Sequence, residues 1–419
     1  MHVYLLSPIP YSFLHQRPQK LADQFVALGI PVTFIEPCGL SEYLSGRAKG
    51  LPLLILRSAW YLFLGLLAFL IPGLHRKPAP AGLSGSPQTG MRIVGMPIIV
   101  PNNRVDSALL ERINASVYRQ TLIHRVFNRM RKGEKSVAIV QNPIWGLTLG
   151  RGDFSKITYD CIDDISLFAG RGSAKRIEEY ERRLIGMADA VYVTAEKLEE
   201  SLRTKTGGLP LLRVPNGVDY EFFQSRVADA KEPALLAGVQ RPVVGYAGVL
   251  RDWMDYDLLE FLAGKMPGVS FVLVGPIDFE FRIEKLRRMS NMFFPGRKDY
   301  RDMPACINGF DVCMIPFLTG PVSSTTNPVK VFEYFALGKP VVSSPLHELE
   351  QFREKGLLWI ADGRHAFELA LAEALAEGPG PVQERRREVA RQHSWKRLTK
   401  SMLEVFSKDA PQRHGGTEG

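Results

Sequence analysis

The chain alternates between short apolar runs and longer segments in which apolar residues recur every three or four positions. The short runs predict buried strands, and the longer segments predict amphipathic helices. Strands that alternate with helices indicate parallel sheets of the α/β class. The predicted strands are residues 3–6, 32–35, 137–141, 157–160, 190–194, 211–214, 243–247, 270–274, 312–315 and 340–343.

The pattern is interrupted between residues 218 and 240, where polar residues and Pro233 precede the next apolar run. We therefore predict two Rossmann-like domains that face a cleft. The predicted boundaries are 1–218 for an acceptor-binding N-terminal domain, 219–240 for a linker, 241–390 for a nucleotide-sugar-binding C-terminal domain, and 391–419 for a closing helix and tail.

Residues 59–74 form an apolar stretch without charge, between Arg57 and the basic residues that follow His75. The stretch is shorter than the roughly 20 residues that span a bilayer comfortably. We predict that the insertion 51–77 associates with the inner leaflet as an interfacial or re-entrant helix. The alternative is a core helix of the first domain.

Composition and charge narrow the class of protein. A chain of 419 residues with 45% hydrophobic content can form about two domains. The four cysteines lack metal-ligand spacing and fit a reducing cytosol, and the N-terminus does not resemble a secretory signal. Residues 1–230 hold 28 lysines and arginines against 20 acids, out of totals of 53 and 44.

Many of these basic residues lie in a helical pattern at 104–135, which is either a solvated helix face or a surface for acidic lipids. Nucleic-acid binding is disfavoured, because the sequence lacks an aromatic stacking platform and a zinc-finger spacing.

The strongest candidate chemistry lies at residues 324–345. Asn327 and Pro328 suit a helix start, whose free N–H groups attract an anion. Thr325, Thr326 and Lys330 add donors for a diphosphate, and Glu333 can accept hydrogen bonds from a sugar diol. A capped helix with a surface glutamate is the alternative interpretation of the same residues.

Two further groups are candidates for proton transfer in the first domain. Asp163 and Asp164 follow a predicted strand, where one acid can serve as a general base, although adjacent acids also form turns. His15 lies in the loop after the first strand, where it can contact phosphate or acceptor or can cap the following helix.

Several segments in order resemble GT-B fold glycosyltransferases of the bacterial surface-polysaccharide, teichuronic-acid-type and family 4-like kind. The resemblance rests on the segments at 17–20, 159–164, 214–219, 245–248, 272–276, 296–300, 310–317 and 327–342. It implies that Glu333 holds the ribose and that residues 325–327 with Lys330 meet the diphosphate.

The resemblance also implies that Arg297 frames the base and that Arg251 lies near the diphosphate. Gly275 follows a predicted strand, and ligands of parallel sheets gather outside the carboxyl ends of the strands. Many retaining relatives carry a first glutamate where this chain has Thr325, so the resemblance leaves the stereochemical outcome open.

The predicted function is transfer of a sugar from a nucleotide-diphosphate donor to a lipid-linked or polysaccharide acceptor in cell-surface glycan synthesis. We expect a cytoplasmic protein that is peripheral or monotopic on the inner face of the membrane. Neither a metal nor a resident cofactor is expected, since fixed donors can stabilise the leaving group. The alternative is a catalytically inactive nucleotide-sugar-binding membrane scaffold.

Overall fold

The computed structural model describes residues 1–12, 15–37, 90–96, 108–168, 171–227, 236–278 and 280–407. The predicted insertion 51–77 lies outside these residues. The chain divides into two compact units. The first comprises residues 1–193, 198–214 and 399–419, and the second comprises residues 194–197 and 215–398.

The first unit is built on a seven-stranded sheet with the strand order β3-β2-β1-β4-β5-β6-β7. All of its neighbouring strands are parallel, and Val3 pairs with both Val32 and Val137. The strands are β1 (His2–Leu6), β2 (Val32–Pro37), β3 (Met91–Met96), β4 (Ser136–Val140), β5 (Lys156–Cys161), β6 (Ala190–Val193) and β7 (Leu211–Arg213).

Helices accompany this sheet in βα order. They are α1 (Arg17–Ala27), α2 (Ala108–Arg125), α3 (Arg171–Met187) and most of α4 (Glu196–Arg203). Helix α1 carries Pro18 in its first turn, where the missing N–H of a proline costs no hydrogen bond. It buries the apolar side chains of Leu21, Ala22 and Phe25.

The second unit contains a six-stranded sheet with the order β10-β9-β8-β11-β12-β13, and its neighbouring strands are parallel. The strands are β8 (Val243–Ala247), β9 (Ser270–Val274), β10 (Met292–Gly296), β11 (Val312–Ile315), β12 (Val341–Ser343) and β13 (Trp359–Ile360). Every residue of β8, β9 and β11 is buried, which is typical of strands covered on both faces.

The helices of the second unit are α5 (Tyr220–Val227), α6 (Tyr256–Lys265), α7 (Glu280–Ile283), α8 (Met303–Asn308), α9 (Pro321–Thr325), α10 (Val329–Ala336), α11 (Glu350–Glu354), α12 (Arg364–Leu375), α13 (Pro381–Gln392) and the start of α14 (Trp395–Ser407). Helix α10 ends before Gly338, which adopts a φ of 71°, and Lys339 N donates to Tyr334 O, which is the geometry of a glycine C-cap.

Each of the ten predicted strands is present, with its ends within two residues of the prediction. The three strands that the pattern missed, β3, β10 and β13, are all at sheet edges. Helix α5 lies within the range predicted as a linker, and its Phe223 is fully buried in the second unit. Within the residues described, no helix combines the length and apolarity needed to cross a membrane.

Candidate functional site

Glycines follow or end three adjoining strands of the second unit. Gly248 follows β8, Gly275 follows β9, and Gly296 ends β10. The backbone links them, because Gly248 N donates to Val274 O at 2.8 Å and Gly275 N donates to Gly296 O at 3.0 Å. Ligands of parallel sheets bind outside these carboxyl ends.

The two central glycines permit a close approach of backbone and side chain. A Cβ atom on Gly275 would lie 1.8 Å from Gly248 O, and Gly275 has a φ of 152°. A Cβ atom on Gly248 would lie 2.6 Å from Lys330 Cε. A side chain at Gly248 would occupy the space that Lys330 now uses, and one at Gly275 would collide with the backbone of Gly248.

Lys330 and Glu333 lie one turn apart on helix α10, with 3.6 Å between Lys330 Nζ and Glu333 Oε2. Glu333 is only 8% exposed although it is an acid. Burial and, after it, the charge of Glu333 raise the pKa of Tyr300 well above its usual value. A buried carboxylate beside an ammonium group can accept hydrogen bonds from a diol while the ammonium contacts phosphate.

The side chain of Asn327 is engaged within the protein. Its Oδ1 accepts the backbone N–H of Asn216 at 3.1 Å, and Asn216 Nδ2 donates to Asn327 O at 2.8 Å. Asn327 Nδ2 donates to Glu348 Oε2 at 3.3 Å. These bonds fix the start of helix α10, so Asn327 positions Lys330 and Glu333. Its own contact with a diphosphate stays a prediction.

The remaining predicted donor-site residues lie on loops around this helix. Thr325 ends α9 and Thr326 follows it, and both are half-buried. Arg251 is paired through Nε with Asp278 Oδ2 at 3.1 Å, and its guanidinium lies 5.5 Å from the centre of the Trp253 ring. Arg297, directly after Gly296, is exposed. Their roles toward a nucleotide stay predictions.

The first unit has a buried ion pair at the carboxyl ends of three adjoining strands. Arg17 donates through Nε and Nη2 to the two carboxylate oxygens of Asp160 at 2.9 and 2.7 Å. The two side chains are 2% and 0% exposed. Gln141 Nε2 donates to Asp160 Oδ2 at 2.8 Å. The sequence showed the segments that carry these residues but gave no signal for the pairing.

Asp163 lies just past this ion pair and is half-buried. Burial raises the pKa of Asp163 to about 6, while the charge of Arg17 opposes the shift. Asp164 Oδ1 accepts hydrogen bonds from the backbone N–H and hydroxyl of Ser166 at 3.1 and 2.5 Å, which is the geometry of a turn. The roles of Asp163 and Asp164 in proton transfer stay predictions.

His15 contacts Asp23, with 3.7 Å between Nδ1 and Oδ2. Burial, followed by the charge of Lys20, lowers the pKa of His15 to about 4. The imidazole is therefore neutral near pH 7. Asp23 also accepts the hydroxyl of Tyr11 at 2.6 Å, so it holds this loop to helix α1.

Residues 241–377, which span the sheet and helix α10 of the second unit, match the family model of glycosyl transferases group 1. The fold is α/β with two parallel sheets, as in GT-B glycosyltransferases, and the chain carries a group 1 domain of that class. The predicted resemblance is thereby confirmed at the level of domain and fold.

Among known proteins, the chain is 26% identical over 264 residues to a Bacillus subtilis (strain 168) protein assigned to teichuronic acid biosynthesis as the glycosyltransferase TuaH. The match spans 60% of this chain and 66% of that protein.

Two solved structures share the fold over nearly the whole chain. Anabaena Alr3699/HepE in complex with UDP and glucose has a TM-score of 0.60 at 14% identity, with 97% of this chain and 100% of that chain covered. The trehalose 6-phosphate synthase from Burkholderia multivorans has a TM-score of 0.64 at 13% identity, with 97% and 96% covered.

Proposed function

We propose that the protein is a glycosyltransferase that moves a hexose-type sugar from a nucleotide-diphosphate donor to a hydroxyl of a lipid-linked or polysaccharide acceptor. One observation carries the proposal. At the glycine-lined strand ends of the second unit, Lys330 packs against Gly248 and lies beside the buried Glu333, within the residues that match the glycosyl transferases group 1 model.

In this proposal Glu333 accepts hydrogen bonds from the ribose hydroxyls. Lys330, Thr325, Thr326 and the first N–H groups of helix α10 face the diphosphate. The bond between the sugar and the diphosphate breaks, a bond to the acceptor oxygen forms, and the departing diphosphate carries away the negative charge. Fixed donors at a helix start stabilise such charge without reorganising, so no resident metal or cofactor is required.

We assign acceptor binding and proton removal to the first unit. Asp163 is the candidate base, because a carboxyl with a pKa of about 6 is ionised at neutral pH yet more basic than an exposed aspartate. The ion pair of Arg17 and Asp160 holds the strand ends on which this residue stands.

Uridine diphosphate sugars are the first donors to test, because HepE has been crystallised with UDP and with UDP-glucose. The match to TuaH supports a surface-glycan acceptor. We further propose a cytoplasmic location on the inner face of the membrane, with residues 51–77 as the attachment. Its support is the apolar sequence with basic flanks, which lies outside the described residues.

Turnover separates a transferase from an inactive scaffold. The assay follows release of UDP from UDP-hexoses in the presence of membrane extract, for the wild type and the Glu333→Ala variant. A transferase releases UDP above background only when extract is present, and the variant loses this release. A protein that binds UDP but does not produce UDP from UDP-hexoses above background is the scaffold.

Attachment to the membrane has a test of its own. Deletion of residues 51–77 followed by cell fractionation should move the protein to the soluble fraction. An unchanged ratio between membrane and soluble fractions would rule out this segment as the attachment.

A further inference from the structure

The loop that follows β8 holds an exposed tryptophan in a fixed position. Trp253 is 36% exposed, although tryptophans are highly buried on average. Its carbonyl accepts the backbone N–H of Leu318 at 2.7 Å, and the next residue, Met254, forms a β-bridge with Phe317. Leu318 lies in the loop that follows β11 and is itself exposed. A backbone hydrogen bond therefore joins two exposed apolar residues at the carboxyl ends of the central strands.

The Trp253 ring is held by two side chains. The guanidinium of Arg251 lies 5.5 Å from the centre of the ring, and its Nε is paired with Asp278 Oδ2 at 3.1 Å. Burial raises the pKa of Tyr246, and a side-chain hydrogen bond from Trp253 opposes this rise. The Tyr246 hydroxyl donates to Val249 O at 3.2 Å, so its oxygen accepts the indole N–H. These contacts set the orientation of the ring within the second unit.

Tyr246 also links Trp253 to the proposed diphosphate site. A Cβ atom on Gly248 would lie 2.6 Å from both Tyr246 Oη and Lys330 Cε, so the phenol and the lysine approach the same point. The charge of Glu333 is a further, smaller cause of the raised pKa of Tyr246. In a nucleotide sugar the hexose is bonded directly to the second phosphate. A diphosphate at Lys330 therefore leaves the hexose within reach of the indole ring.

We propose that the Trp253 ring packs against the hexose of the donor and thereby sets which nucleotide sugar the protein accepts. A hexose ring is polar at its hydroxyls and apolar on its C–H faces, and an aromatic side chain covers such a face with its own apolar surface. Contact with the hexose buries ring surface that is otherwise exposed to water, which is favourable. This assignment rests on the proposed function, because it takes the diphosphate to lie at Lys330.

The test compares the calorimetric affinities of the full-length protein for UDP and for three UDP sugars, namely UDP-glucose, UDP-galactose and UDP-N-acetylglucosamine, without an acceptor. Trp253→Ala should weaken binding of the preferred UDP sugar by about five- to tenfold, because one aromatic contact is lost. Its affinity for UDP should stay within about twofold of the wild type. Trp253→Phe, which keeps an aromatic ring, should recover most of the loss.

Trp359→Ala is the matched control. Trp359 lies on the edge strand β13, donates its N–H to Glu373 Oε2 at 3.0 Å, and has the guanidinium of Arg386 5.9 Å from its ring centre. It therefore makes the same kinds of contact as Trp253 at a different place in the sheet. Trp359→Ala should lower the melting temperature and leave the affinities for UDP and for the UDP sugars unchanged. This result separates a loss of ring packing from a loss of contact with the sugar.

Two results would overturn the assignment of Trp253 while the proposed function stands. One is a Trp253→Ala protein that binds every UDP sugar as tightly as the wild type does. The other is an equal loss of affinity for UDP and for the UDP sugars, which indicates that the ring supports the nucleotide site and not the hexose. A wild type that binds neither UDP nor any UDP sugar would overturn the proposed function, and the assignment of Trp253 with it.

Discussion

Gly248 lies against Lys330, and a Cβ atom on Gly248 would stand 2.6 Å from Lys330 Cε. This contact joins the end of the first strand in the second unit to the helix that carries Glu333. It explains why a residue without a side chain is needed at the strand end if Lys330 is to reach a diphosphate.

Gly248→Ala should displace the far end of the Lys330 side chain, and it should also press on the buried ring of Tyr246, whose Oη would lie 2.6 Å from the new Cβ. We expect roughly tenfold weaker UDP binding together with a lower melting temperature. Titration calorimetry and thermal unfolding measure the two effects. Gly268→Ala, where a new Cβ meets no atom within 4 Å, is the matched control. A Gly248→Ala protein that binds UDP normally would refute the assignment of Lys330 to the diphosphate.

Gly275→Ala should instead damage the fold. Its Cβ would lie 1.8 Å from a backbone oxygen that cannot move alone, and its φ of 152° strains any other residue. We expect a loss of about 3 kcal/mol or more in the free energy of unfolding, measured with urea. Gly264→Ala, in the exposed part of helix α6, should stabilise by about 0.5–1 kcal/mol. Equal stability of the two variants would contradict the close packing of the strand ends.

The ion pair of Arg17 and Asp160 predicts strong coupling between the two residues. Asp160→Ala leaves a buried guanidinium without its carboxylate and should cost about 3–5 kcal/mol in the free energy of unfolding. The double variant Arg17→Met with Asp160→Leu removes both charges and should be more stable than Asp160→Ala. A double-mutant cycle of Arg17→Met, Asp160→Leu and the double variant, measured by urea unfolding, checks the coupling, and purely additive losses would show that the pair is not coupled.

The raised pKa of Asp163 predicts that the protein becomes less stable as pH rises through the acidic range. Burial raises its pKa in the folded state from the usual 3.8 to about 6, so between these values the folded chain holds the proton more tightly than the unfolded chain. The free energy of unfolding should therefore fall as pH rises from about 4 to about 6. Above pH 6 the loss of stability is complete and stays constant.

Asp163→Asn removes this penalty and should stabilise the protein at neutral pH by on the order of 1 kcal/mol, with no gain near pH 4. It should also abolish transfer if Asp163 is the base. Asp164→Asn is the matched comparison, because the Asp164 carboxylate is adjacent and accepts a hydrogen bond from Ser166. This variant should not reproduce the pH-dependent gain in stability. Full activity of the Asp163→Asn enzyme would remove Asp163 from the mechanism.

The central strands and the helix that carries the proposed donor site were predictable from the sequence, whereas the edge strands β3, β10 and β13 and the long-range pairings were not. Strands β8, β9 and β11 are continuous apolar runs because both of their faces are buried. The edge strand β10 carries Pro295 and Gly296 and is only partly buried, so its pattern is weak.

Pairings between distant residues depend on the assembled fold. Arg17 and Asp160 are 143 positions apart, and Asn216 and Asn327 are 111 apart, so no local pattern links them. The sequence thus indicated Glu333 and Lys330, which share one helix, but missed the contacts that position that helix.

The most direct test of the central claim is calorimetric binding of UDP to the wild type and to Glu333→Gln, with Glu354→Gln, at an exposed glutamate of helix α11, as the control. We predict that the wild type and the control bind UDP alike and that Glu333→Gln binds it roughly tenfold to hundredfold more weakly, because a charge-assisted hydrogen bond to the ribose is lost. UDP binding that is unchanged by Glu333→Gln, or absent from the wild type, would contradict the assignment of the second unit as a uridine nucleotide site built on helix α10.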